Sequence, residues 1–146
     1  MTETKEIHHL TEPELLAFAN DFAATLPTRG AIALWGDLGA GKTTFIRRVI
    51  QALSGDPELI VPSPTFTLVQ EYIFAARTVW HCDLYRLTDP DECLELGLIE
   101  AMHAHLCFIE WPERMGAHLP QDRIDIHIHT IDEQSRELVV IPFIKS

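Results

Sequence analysis

The chain has 146 residues, 47% of them apolar, and sets 22 acidic side chains against 11 basic ones for a net charge of −11. That size supports one hydrophobic core and a single domain over residues 1–146, while the acidity excludes strong direct gripping of a nucleic-acid backbone, which calls for a basic face. Apolar runs of about six residues fall far below the roughly 20 needed to span a bilayer, so no membrane span is expected. Met1 to Leu10 lacks the basic start and apolar stretch of a secretory signal, and Cys82, Cys93 and Cys107 show no C-x-x-C spacing; a reducing cytoplasm suits both.

Thr11-Glu12-Pro13-Glu14 reads as a helix start, with Thr11 as cap, Pro13 in the first turn and Glu14 completing a capping box. Leu15, Phe18, Phe22 and Leu26 follow at helical spacing. Ala31 to Trp35 is too short and apolar for a surface helix and predicts a buried strand. A glycine-rich octet comes next, then a helix whose Phe45, Ile46, Val49, Ile50 and Leu53 form one stripe, ended by Ser54-Gly55 and Pro57. Prolines stiffen Val61 to Thr65. Strands are expected at Thr67 to Tyr72 and Thr78 to Tyr85, then one or two helices from Leu94 to His105 with a break near Gly97. Leu106 to Ile109 is a second fully apolar strand, and Arg123 to Ile131 alternates as a half-exposed strand that pairs with Glu137 to Ile141 in a hairpin.

The octet Gly36-Asp37-Leu38-Gly39-Ala40-Gly41-Lys42-Thr43 fits G-x-x-x-x-G-K-[ST]. Its setting, between a buried strand and a helix, is the one a phosphate loop needs, because the free N–H groups and positive dipole end of the helix then face the anion. Gly39 and Gly41 let the main chain wrap and approach phosphate oxygens, and Ala40 shares that stretch. Lys42 would lie along the β- and γ-phosphates, Thr43 would set its hydroxyl on Mg²⁺, and Thr44 reaches the α-phosphate.

Such a loop works with acidic groups at the ends of neighbouring strands. Asp83 and Glu110 each end an apolar strand on the ligand side of a sheet. Glu110, directly after four apolar residues, is the metal-side choice, since a carboxylate there is costly without a compensating ion. Asp83 serves either the metal shell or the attacking water, or else caps the strand or pairs with Arg86. Ser63 and Thr65 sit where they could sense a γ-phosphate or meet a partner. Trp111 stacks on a base or partner, or simply packs. His127 and His129 share a strand face but lack a third ligand, and the cysteines read as small core residues.

Among phosphate-loop proteins, a GTPase normally carries Asn-Lys-x-Asp, and Asn20 is the sole asparagine. A small-molecule or nucleoside kinase normally adds an arginine-bearing lid, and no such segment follows the loop. A compact ATPase acting on another protein is the leading reading, with an independent kinase and a nucleotide-sensing binding module as alternatives.

Gly36 to Thr44, Ser63-Pro64-Thr65, His81-Cys82-Asp83-Leu84-Tyr85-Arg86 and Glu110-Trp111-Pro112, in this order, closely resemble the TsaE family of tRNA threonylcarbamoyladenosine biosynthesis over roughly Leu10 to Val140. The resemblance implies an α/β, P-loop NTPase-like three-layer fold with a mixed central sheet, helices on both faces and a C-terminal β-hairpin. It implies an Mg²⁺-dependent ATPase, binding ATP and ADP, that acts on a TsaD–TsaB pair in forming threonylcarbamoyladenosine at position 37 of tRNAs reading codons that begin with A. Matched by position, Gly39, Ala40, Gly41, Lys42, Thr43 and Thr44 hold phosphates, Thr43 and Glu110 serve Mg²⁺, and Lys42, Asp83 and Glu110 carry hydrolysis. Thr11 and Arg136 fall at the ribose and adenine side. Cys82 departs from the aromatic residue that many relatives carry within the His-x-Asp stretch.

Overall fold

The computed structural model describes residues 5–142. Seven strands form one mixed sheet: β1 (Glu6–Thr11), β2 (Gly30–Trp35), β3 (Val69–Ile73), β4 (Thr78–Asp83), β5 (Leu106–Glu110), β6 (Arg123–Thr130) and β7 (Ser135–Ile141). Their order is β1-β7-β6-β2-β5-β4-β3, with β6, β2, β5 and β4 parallel and the two flanks antiparallel. The apolar runs of β2 and of Leu106 to Ile109 in β5 lie side by side at the centre, where both faces are covered and a continuous hydrophobic run is favoured over alternation.

Helices α1 (Glu12–Ala23) and α2 (Lys42–Ser54) cover one face. Leu15, Ala19, Phe45, Ile46, Val49 and Ile50 pack there against Ile32, Leu34, Phe108, Ile126 and Ile128. The short helices α3 (Glu92–Glu95) and α4 (Leu98–Ala104), with a 3₁₀ segment at Pro112–His118, cover the other face over β2, β5 and β4. All three cysteines are buried; burial pushes the Cys107 thiol up to about 12 and holds Cys82 well above its ordinary value, so both are unreactive packing groups. Among the described residues, no helix is long and apolar enough to cross a membrane.

The anticipated helix boundaries hold where local chemistry sets them. Thr11 and Glu14 form a complete capping box at α1, Gly55 ends α2 in the left-handed region at φ 77°, and Gly97, at φ 74°, separates α3 from α4. Two strand boundaries differ for a local reason. The strand expected at Thr67 to Tyr72 starts at Val69, because Leu68 takes φ 69° and its N–H bonds the Pro64 carbonyl, which closes a turn before the ladder begins. The strand expected to reach Tyr85 ends at Asp83, whose carboxylate accepts from the Tyr85 N–H and turns the chain. β1 and the 3₁₀ segment have no counterpart in the sequence reading. β1 is an edge strand with only His8 and Leu10 turned inward, and its pairing partner is the distant β7.

Candidate functional site

The octet leaves the end of β2 and enters α2 as anticipated, at the carboxyl edge of the parallel strands. Gly36, Gly39 and Gly41 all carry positive φ, at 154°, 80° and 108°. At Gly36 the constraint is also steric, since a Cβ there would stand 2.6 Å from the Ile128 carbonyl oxygen on β6. Gly41 caps α2 without any side-chain bond to the first helical N–H groups. Those donors therefore stay open at the loop end of α2, where backbone N–H groups can receive an anion.

Lys42, 4% exposed, points back along the loop. Its Nζ donates to the Gly36 carbonyl at 2.6 Å and stands 3.4 Å over the centre of the Trp111 ring. Desolvation draws its pKa below the ordinary lysine value, while the carboxylates of Glu110, Glu113, Asp83 and Asp37 oppose that shift. Trp111 thus neither floats free nor lies in the core. It is half-buried, in the left-handed region at φ 59°, and wedged between Lys42 and Tyr85, whose ring lies 4.9 Å away.

The first two threonines of α2 face different ways. Thr43 Oγ1 donates to Glu110, 2.8 Å from Oε1 and 3.0 Å from Oε2. Thr44 instead lines a cavity of about 530 Å³, together with Gly39, Ala40 and Gly41 of the loop, Thr11, Pro13 and Leu15 at the start of α1, and Gln134 and Arg136 of the β6–β7 hairpin. Thr11 and Arg136 therefore share one wall of this cavity although they lie at opposite ends of the chain. The β1–β7 ladder brings them there by pairing Thr11 with Ser135. Arg136 Nε also donates to the Ala40 carbonyl at 3.0 Å, tying the hairpin to the loop. Glu12, Glu133 and Gln134, not among the expected site residues, line the same cavity; for Glu133 and Gln134 the polar turn Asp132 to Ser135 is the only local sign.

Asp83 and Glu110 are register partners on the neighbouring parallel strands β4 and β5, and both are buried. Asp83 does not act as a partner of Arg86, which instead lies over the Phe66 ring at 5.3 Å. One Asp83 oxygen accepts from Thr65 Oγ1 at 3.0 Å, Thr65 in turn bonds Ser63 at 2.8 Å, and the other oxygen accepts from the Tyr85 N–H. The proline-rich connection is thereby fastened to the site through Asp83. Glu110 has a further partner that sequence reasoning missed: His81, wholly buried on β4, with Nε2 2.6 Å from Glu110 Oε2. His127 of β6 stacks on Trp35 of β2, and His129 stacks on His127, outside this cluster.

Among the described residues, no three His, Cys, Asp or Glu side chains gather to hold a metal by themselves. The hydroxyl of Thr43 and the carboxylate of Glu110 nevertheless form the hard oxygen pair that suits Mg²⁺, a cation usually completed by water and substrate phosphates. Together with the open amides of α2, they are the donors that a nucleoside triphosphate and its metal would need.

A central sheet clothed on both faces, with a strand–glycine loop–helix unit at its carboxyl edge and two carboxylates beside it, defines a three-layer α/β protein of the P-loop NTPase type. The family model described as "Threonylcarbamoyl adenosine biosynthesis protein TsaE" matches residues 10–138. Relatives called tRNA threonylcarbamoyladenosine biosynthesis protein TsaE include one from Rickettsia bellii, 44% identical over 86% of this chain and 87% of its own length. Another, from Bacillus subtilis, is 38% identical over 86% of this chain and 77% of its own. The crystal structure of Bacillus subtilis YdiB superposes with a TM-score of 0.79 at 29% identity, covering 98% of this chain and 88% of that one. The chain belongs to the TsaE family, a family of tRNA threonylcarbamoyladenosine biosynthesis.

Proposed function

We propose that this chain is the ATP-binding and ATP-hydrolysing subunit for forming threonylcarbamoyladenosine on tRNA, acting on a TsaD–TsaB pair whose catalytic cycle it drives. The observation that carries this reading is the contact between Thr43 and Glu110 at 2.8 Å, which joins the start of the loop's helix to the strand-end carboxylate. When bound, Mg²⁺ would neutralise charge on the β- and γ-phosphates and polarise the transferred group. Thr43 and Glu110 are the residues to hold it. The amides of Gly39 to Thr44 bind the phosphates, and Lys42, released from the Gly36 carbonyl, adds its charge to the developing negative oxygens. Asp83, fixed by Thr65 and the Tyr85 N–H, is placed to orient a water. The cavity between Thr11 and Arg136 takes the ribose and base.

The site has one nucleotide cavity beside the loop and an acidic exterior, which supports transmission to a protein partner over direct work on RNA. Hydrolysis measured with the purified chain alone, and again with TsaB and TsaD added, tests the proposal. Turnover is expected to rise with the partners and to vanish in Lys42→Ala and Glu110→Ala; equal turnover with and without partners removes the partner dependence.

A further inference from the structure

Thr43 is only one of the groups that fix Glu110. His81 and Phe108 are register partners on β4 and β5, so Glu110, two residues further along β5, projects on the same face as the His81 ring. The two side chains are 0% and 3% exposed and meet at 2.6 Å. A carboxylate offers only lone pairs, so His81 Nε2 carries the proton and donates it to Oε2. The other ring nitrogen, Nδ1, is buried with no hydrogen-bond partner among the described residues. An apolar side chain would fill this place without leaving a polar atom unsatisfied. What the imidazole adds is its single bond to Glu110.

We infer that His81 is a positioning residue: its Nε2–H holds Glu110 from the β4 side while Thr43 holds it from α2, which fixes the bearing of both carboxylate oxygens toward the metal. This rests on the reading of Glu110 as the magnesium-side residue. Groups that orient a metal ligand in this way commonly change metal affinity by roughly 10- to 100-fold when removed.

Glutamine and asparagine separate this role from packing. The amide nitrogen of glutamine reaches the position of Nε2, whereas that of asparagine reaches only Nδ1, which has no bond to lose. Calorimetric titration of ADP and ATP into the full chain, with Mg²⁺ and with EDTA, reads how far Mg²⁺ tightens nucleotide binding. His81→Asn is expected to lose about tenfold or more of that gain while keeping its EDTA affinity for ADP within about twofold, and His81→Gln to recover most of the gain. A wild-type gain preserved in His81→Asn overturns the inference, as does a loss that glutamine fails to restore or an equal loss of affinity in EDTA. Absence of any Mg²⁺ effect in the wild type overturns the reading of Glu110 itself, a separate result. Nitrogen NMR of the wild-type chain requires no variant to fold: the His81 Nε2–H signal is expected to shift when Mg²⁺ joins the ADP complex, and an unmoved signal sinks the inference.

Discussion

Lys42 sits with its ammonium buried against Trp111 and the Gly36 carbonyl, and desolvation lowers its pKa from the ordinary 10.5. The unfolded chain therefore holds this proton more tightly than the folded one. Stability contributed here rises as pH climbs from the depressed folded value toward 10.5, since in that window the unfolded state binds more protons. Lys42→Met removes the buried charge and keeps the aliphatic stem. Without nucleotide it is expected to be more stable than wild type by about 1 kcal/mol near neutral pH, roughly 3 °C in Tm. Its urea midpoint should also lack the wild type's alkaline rise, and nucleotide binding should be lost. Substitution at Gly36 changes stability in the opposite direction. Gly36→Ala drives a methyl toward the Ile128 carbonyl, which belongs to a ladder and cannot yield, and is expected to cost about 2–3 kcal/mol in a denaturant titration.

At the scale of elements, α1 links the fold to the cavity through its capping residue, Thr11. The Thr11 hydroxyl caps the helix while the Glu14 carboxylate reaches back to the Thr11 N–H at 2.9 Å. Thr11→Ala is expected to cost about 1 kcal/mol of stability in a urea titration. The backbone and side-chain bonds from Thr11 lower the Glu14 pKa below 4.5. That part of the stability is present above 4.5 and fades as pH falls through the folded value, a trend that Glu14→Gln should flatten in pH-dependent melts. The same elements show what a sequence exposes. The capping box, the glycine stops at Gly55 and Gly97, and the unbroken apolar runs of β2 and β5 follow from near neighbours, so local rules find them. β1 owes its existence to β7, more than a hundred residues away, and its alternating polar residues carry no local sign of burial. The 3₁₀ segment has no sustained periodicity to read. The same distinction holds at the candidate site: Lys42, Thr43, Asp83 and Glu110 announce themselves by motif and strand end, whereas the His81–Glu110 bond depends on the register of two strands.

For the whole molecule, the candidate nucleotide site draws on β2, α2, β4, β5, the start of α1 and the β6–β7 hairpin, so a bound nucleotide ties most of the sheet together. A ligand that binds only the folded chain adds about 2.7 kcal/mol at 100 times its Kd. Mg²⁺-ATP at that ratio is expected to raise the Tm by several degrees in scanning calorimetry, and the increment should shrink in Glu110→Ala. An unchanged Tm at saturating nucleotide would contradict a site built across these elements.

Because β1 zips onto β7, the wall between Thr11 and Arg136 joins segments more than a hundred residues apart in sequence and exists only once that ladder has closed. A nascent polypeptide can finish its glycine loop while the ribosome still shields the β6–β7 hairpin, yet the cavity beside that loop lacks its Gln134 and Arg136 side until the hairpin emerges. Fragments stalled short of β7 therefore lack the hairpin side of that cavity.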